Sequence, residues 1–84
     1  MNRSKRIKII LEKHLKDFSI NVIDNSGSHK GHNSFDGSGE THIILELKNN
    51  VFKKIDRLSL HKKINSLLKE EFDNGLHSLQ IKIT

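Results

Sequence analysis

No cysteine occurs anywhere in the 84 residues. That excludes a disulfide framework, a thiolate metal site and a cysteine nucleophile. Tyrosine and tryptophan are also absent, so two of the side chains on which nucleic-acid bases stack are missing. Hydrophobic residues are only 33% of the chain, and any core must be small and built from Ile, Leu, Val and Phe. No apolar run approaches the roughly 20 residues needed to span a bilayer. The stretch from Ile7 to Leu11 is too short and interrupted for a signal-peptide core. The expectation is a single cytoplasmic domain over residues 1–84, monomeric alone and not associated with membranes.

What the chain has in quantity is charge. Charged residues are 30%, with a net charge of +5. This keeps an acidic partner, DNA included, in view. The cations are dispersed, however, from Arg3, Lys5, Arg6 and Lys8 to Lys53, Lys54, Arg57, Lys62 and Lys63. A solvated basic surface accounts for such a spread equally well.

Hydrophobic periodicity divides the chain into five segments. Ile7, Ile10, Leu11, Leu15 and Phe18 make one apolar stripe, which predicts an amphipathic helix over residues 3–17. His14 lies on that stripe and reads as a half-buried residue at the core edge. The run from Ile20 to Ile23 reads as a short strand. Residues 24–40 lack any period and hold four of the five glycines, four serines and two histidines. A loop this long in so small a domain is usually functional or disordered. From His42 to Lys48, Ile43, Leu45 and Leu47 alternate with polar residues, with Ile44 as the exception, as in a strand covered on one face.

A second helix begins at Asp56, a plausible N-cap, and carries Leu60, Ile64, Leu67, Leu68 and Phe72 as its stripe. Asp73-Asn74-Gly75 ends it. Leu79, Ile81 and Ile83 then alternate as a last strand. The order α-β-β-α-β predicts an α+β fold, with helices on one face of a three-stranded sheet and an antiparallel hairpin around the long loop.

Catalytic constellations are absent: there is no Gly-x-Ser-x-Gly elbow and no Walker loop. Glu70 and Glu71 are neighbours on a helix, read as a solvated face, and do not form an acid/base pair. The chain therefore reads as a non-enzyme. Its remaining peculiarity is six histidines. Neutral imidazole binds transition metals. His29 and His32 lie in the glycine-rich loop, and His77 precedes the last strand. In the expected hairpin these come to neighbouring sheet edges, where two imidazoles could face one site. His42, at the start of the second strand and opposite in face to Ile43, is a weaker candidate. A His-x-x-His pair in a loop is more often solvated than metal-bound. The chain also lacks the ligands for a closed zinc site, so a second molecule would have to complete any coordination shell.

These same segments resemble the BolA family in order and at near-family spacing. Asp24-Asn25-Ser26 stands at the family's loop start, followed by His29 and by Gly31-His32. Glu40-Thr41-His42-Ile43 matches the Glu-Thr-His-Phe strand start, and Phe52 matches the Phe before the second helical region. Leu60-His61-Lys62 matches Arg-His-Arg, and Gly75-Leu76-His77-Ser78-Leu79 matches the Gly-(Ile/Val)-His-Ala-Leu signature. Two departures stand out: Leu60 replaces an Arg, and Lys54 replaces a Gly common after the Phe.

The resemblance implies a class II KH-like fold with a mixed sheet. It also implies a partner, a monothiol glutaredoxin with glutathione, and a [2Fe–2S] cluster shared between the two proteins. In family terms its ligands here are His77 and the loop histidine His29, with His32 as a possible substitute. Replacing thiolates by neutral imidazoles should raise the reduction potential, as in Rieske centres. The alternative is a KH-like transcriptional regulator that contacts DNA phosphates through Arg57, Lys62 and Lys63. Against it, the chain has no Gly-x-x-Gly clamp.

Overall fold

The structure, a computed structural model, describes residues 2–25, 41–51 and 53–84. Its elements follow in the order α1 (Arg3–His14), β1 (Phe18–Asp24), β2 (His42–Asn49), α2 (Arg57–Leu67), α3 (Lys69–Asp73) and β3 (Ser78–Ile83). The α+β class and the element order agree with the sequence reading. One sheet has the order β1-β2-β3. β1 pairs antiparallel to β2 and β2 parallel to β3, so the sheet is mixed. The helical segment between β2 and β3 supplies the crossover that a parallel pair requires.

Period-2 alternation decides which side chains meet the helices. Ile43, Leu45 and Leu47 of β2 are each at most 1% exposed. Ile20 and Val22 flank them from β1, and Leu79, Ile81 and Ile83 from β3. Ile7 and Leu11 of α1, Ile64 of α2 and Leu68 close the core from one side, all fully buried. On the uncovered face Ile44 pairs in register with Ile23, which explains the one break in the alternation of β2.

Four sequence expectations need correction. The first helix stops at His14 and not at 17: Leu15 leaves helical geometry at φ −122° and ψ 64°, and the Phe18 N–H turns back to the Leu15 carbonyl. His14 is exposed, because the apolar stripe passes through Leu11 and Leu15 on the neighbouring side. The second helix is two helices that meet at Leu68, with φ −100° and ψ 15°. With the bend there, Leu68 is fully buried and Glu71 faces α1. Glu71 is therefore buried at 7% exposure and not on a solvated face, whereas Glu70 is exposed.

The Asp56 cap is as expected: its carboxylate accepts the Ser59 N–H and hydroxyl, which holds its pKa below the ordinary range. The stop at Gly75 is also as expected, at φ +114°, a conformation that side-chain-bearing residues adopt only under strain. A Cβ there would also meet Arg3 Nη2 at 3.4 Å. Gly75→Ala is expected to destabilise the fold by about 1–3 kcal/mol. Urea unfolding measures this; an unchanged midpoint would mean that the turn relaxes without strain.

Candidate functional site

The site grows from one end of the sheet. Its pivot is Thr41, whose carbonyl accepts the backbone N–H groups of both His77 (2.8 Å) and Ser78 (3.0 Å). His42, next in the chain, is paired in register with Ser78. The first residue of β2 and the residue just before β3 therefore lie side by side. Their imidazoles meet with ring centres 5.4 Å apart and planes tilted by 53°. His77 is exposed and His42 half-buried.

On the other flank, the Asn25 N–H donates to the His42 carbonyl at 2.8 Å. Asn25 and Thr41, the described residues on either side of 26–40, are thus both tied to this same sheet end. His29 and His32 lie outside the described residues. So do Phe52 and Glu40, two of the positions that carry the family resemblance.

The pair of rings is chemically suited to a metal. Two imidazoles bound to one tetrahedral centre, with metal–nitrogen bonds of about 2.1 Å, have ring centres roughly 5 Å apart. Nδ1 of His42 lies 3.0 Å from the Thr41 hydroxyl. In the tautomer where Nδ1 donates to that hydroxyl, Nε2 presents its lone pair, the arrangement by which outer contacts orient metal-binding histidines. Two nitrogens do not complete a coordination shell. Among the described residues, no group of three or more His, Cys, Asp or Glu side chains is arranged to hold a metal ion.

The turn that delivers His77 is held from behind by a charged cluster. The Leu76 N–H donates to the Glu71 carbonyl at 2.8 Å. The Glu71 carboxylate accepts from Arg3 Nε at 2.9 Å and from Arg6 Nε and Nη2 at 2.8 and 2.9 Å. Arg3 also donates through Nη2 to the Asn74 carbonyl at 2.7 Å. Hydrogen bonding to Arg6, and then to Arg3, holds the Glu71 pKa below its ordinary value against the opposing effect of burial. Sequence reasoning missed this cluster, since contacts 65 and 68 residues apart leave no local signature. His42, expected at a strand start on the face opposite Ile43, is found there and lies beside His77.

The alternative site is less concentrated. Arg57, Lys62 and Lys63 are all exposed on α2. Successive helical residues diverge by about 100°, so the adjacent Lys62 and Lys63 point in different directions. His61, between them, is half-buried.

Known proteins resemble this chain in sequence and in fold. The sequence model of the family described as BolA-like protein matches residues 11–84. An uncharacterised protein encoded in the cobS 5′ region of a Sinorhizobium species is 41% identical over 64 residues, which cover 75% of this chain and 69% of that protein. The UV-induced protein uvi31 of Schizosaccharomyces pombe is 38% identical over 84 residues, covering 96% of this chain and 82% of that one. Among solved structures, BolA1 from Arabidopsis thaliana superposes with a TM-score of 0.80 at 30% identity, over 100% of this chain and 92% of its own.

Proposed function

We propose that this chain, which belongs to the BolA-like protein family, is a non-catalytic cytoplasmic adaptor that shares a [2Fe–2S] cluster with a monothiol glutaredoxin. His77 is the principal ligand from this side. His29 is the second, with His32 its possible substitute. His42 stands at the cluster edge, where it orients His77 or takes the place of a loop histidine. The glutaredoxin and glutathione supply thiolates.

The observation that carries this reading is the His42–His77 pair at the sheet end to which both flanks of residues 26–40 are tied. A chain without cysteine can offer iron no thiolate, and neutral imidazole is a suitable ligand in its place. When bound, an imidazole-ligated cluster carries less negative charge than an all-thiolate one and has a higher reduction potential. What the chain itself contributes is placement. Thr41 fixes both His77 and Ser78 through backbone hydrogen bonds, and the Thr41 hydroxyl meets the His42 ring. The DNA-binding reading gains no comparable convergence of residues.

The test is to mix the chain with a monothiol glutaredoxin, glutathione, iron and sulfide and to record absorption and circular dichroism. A spectrum distinct from that of the glutaredoxin homodimer is expected, and His77→Ala should abolish the difference. His29→Ala and His32→Ala, singly and together, identify the loop ligand. His42→Ala should shift the spectrum without removing it. A wild-type spectrum indistinguishable from the homodimer's overturns the reading.

A further inference from the structure

The end of the sheet remote from the histidines carries a second feature that the cluster reading leaves unused. A groove of about 280 Å³ opens between the start of β1, the turn after β2 and the first turns of α2. Its floor is apolar: Phe18, Val51 and Ile55 are half-buried and Leu60 is buried. Its rim is basic, with Lys53, Lys54 and Lys63 all exposed. None of the three lysines is in an ion pair among the described residues. A second depression shares Lys54, Ile55 and Asp56 with the first and extends the groove to Arg57, over the N-terminus of α2.

Two carboxylates also line the groove. Asp56 is occupied by the cap of α2. Asp17 is exposed at one end, where its carbonyl accepts the Asn50 N–H. The rim therefore keeps a positive excess, reinforced by Arg57 and by the partial positive charge of the helix N-terminus.

We infer that this groove docks an extended acidic segment of a partner protein, with one aromatic or aliphatic anchor on the apolar floor and carboxylates against Lys53, Lys54, Lys63 and Arg57. The apolar floor favours a peptide over a nucleic acid: a nucleotide needs phosphate contacts and stacking faces, whereas this floor accepts an alkyl or phenyl side chain. Leu60 closes the floor as a buried apolar side chain, and Lys54 lines both depressions. β2 runs from His42 beside the paired histidines to Asn49 at the groove. Seven steps at about 3.3 Å separate the two ends by roughly 23 Å, so the groove can be occupied while the histidines engage another molecule.

The test is a titration of the ¹⁵N-labelled chain with a short synthetic Glu- and Asp-rich peptide carrying one central phenylalanine. Amide shifts are expected at Phe18, Asn49, Val51, Lys53 to Ile55 and Ser59 to Lys63, with none at His42, His77 or Ser78. Binding should weaken with salt and by roughly tenfold when Lys53, Lys54 and Lys63 are all changed to Glu, exposed substitutions that leave the core intact. Replacing the peptide phenylalanine by alanine should weaken it comparably. Absence of shifts at high peptide concentration overturns the inference. So does equal binding of a Lys-rich peptide, or tighter binding of a single-stranded oligothymidylate in the same groove. None of these outcomes involves iron, so the result stands apart from the cluster test.

Discussion

Truncating Leu45 to alanine is expected to cost the fold about 3–4 kcal/mol, the largest loss from any single side chain. Leu45 sits at the middle of the central strand, between Val22 and Ile81 in register, and is 0% exposed. Deleting its isopropyl group removes the transfer free energy of three buried carbons and leaves a cavity. Ile7, Leu11 and Ile64 share its buried cluster from the helix layer, and a close-packed interior relaxes into such a cavity only in part. A domain of this length has roughly 4–12 kcal/mol in total, so the variant loses a large fraction of its stability. Urea denaturation followed by circular dichroism gives the difference, with an unchanged slope if the unfolded state is unaffected. A loss under about 1 kcal/mol would show that the sheet centre repacks freely, contrary to a close-packed core.

The second large effect is at Glu71. Glu71→Ala removes the carboxylate that accepts from both guanidinium groups, and Arg3, at 8% exposure, keeps the Asn74 carbonyl but loses this buried counter-ion. Breaking a buried pair in this way costs about 3 kcal/mol. The share owed to Arg6 is smaller, since its side chain is 42% exposed and screened by water. Both arginines precede residues 11–84, the part of the chain that matches the family.

The same cluster sets an acid limit. The folded-state pKa of Glu71 lies below its ordinary value of 4.5. Its contribution to stability is then fully present above that value, and is lost as the pH falls through the folded pKa. Unfolding free energy should therefore decline from about pH 4.5 downward, and Glu71→Gln should flatten that decline. A pH profile identical in the wild type and the Gln variant would show that the carboxylate is not ionised in the native state. Changing Arg3, Arg6 and Glu71 together to apolar residues of similar size should cost far less than Glu71→Ala alone, because no unpaired charge remains.

The two perturbations probe different properties. Leu45 reports on hydrophobic burial, which any well-packed apolar residue of similar volume would supply. The Arg3–Glu71–Arg6 cluster reports on placement. It joins the start of α1 to the Asn74–Gly75 turn, and that turn leads directly to His77. A loosened cluster should therefore disturb the proposed ligand site as well as the fold. The docking groove at the far end of β2 should be unaffected, since it shares no residue with the cluster.

Much of the architecture was legible in the residues because it rests on local periodicity. The apolar repeats of α1 and α2, the alternation of Leu45 and its neighbours, the Asp56 cap and the left-handed Gly75 are each decided within a few positions by backbone geometry and burial. The absence of cysteine, also legible there, excludes a thiolate ligand from this chain. Tertiary structure alone decided the pairings. Glu71 looked solvated because no basic residue stands three or four positions from it to pair along a helix, and it is buried because α3 bends it onto α1. His42 looked secondary until parallel pairing with β3 set it beside His77. Lys53, Lys54 and Lys63 looked like dispersed charge until the fold placed them around one apolar floor. The physical reason is the same throughout. Periodicity and capping act between residues close in sequence, whereas ion pairs, ring contacts and grooves depend on which distant segments the core forces together.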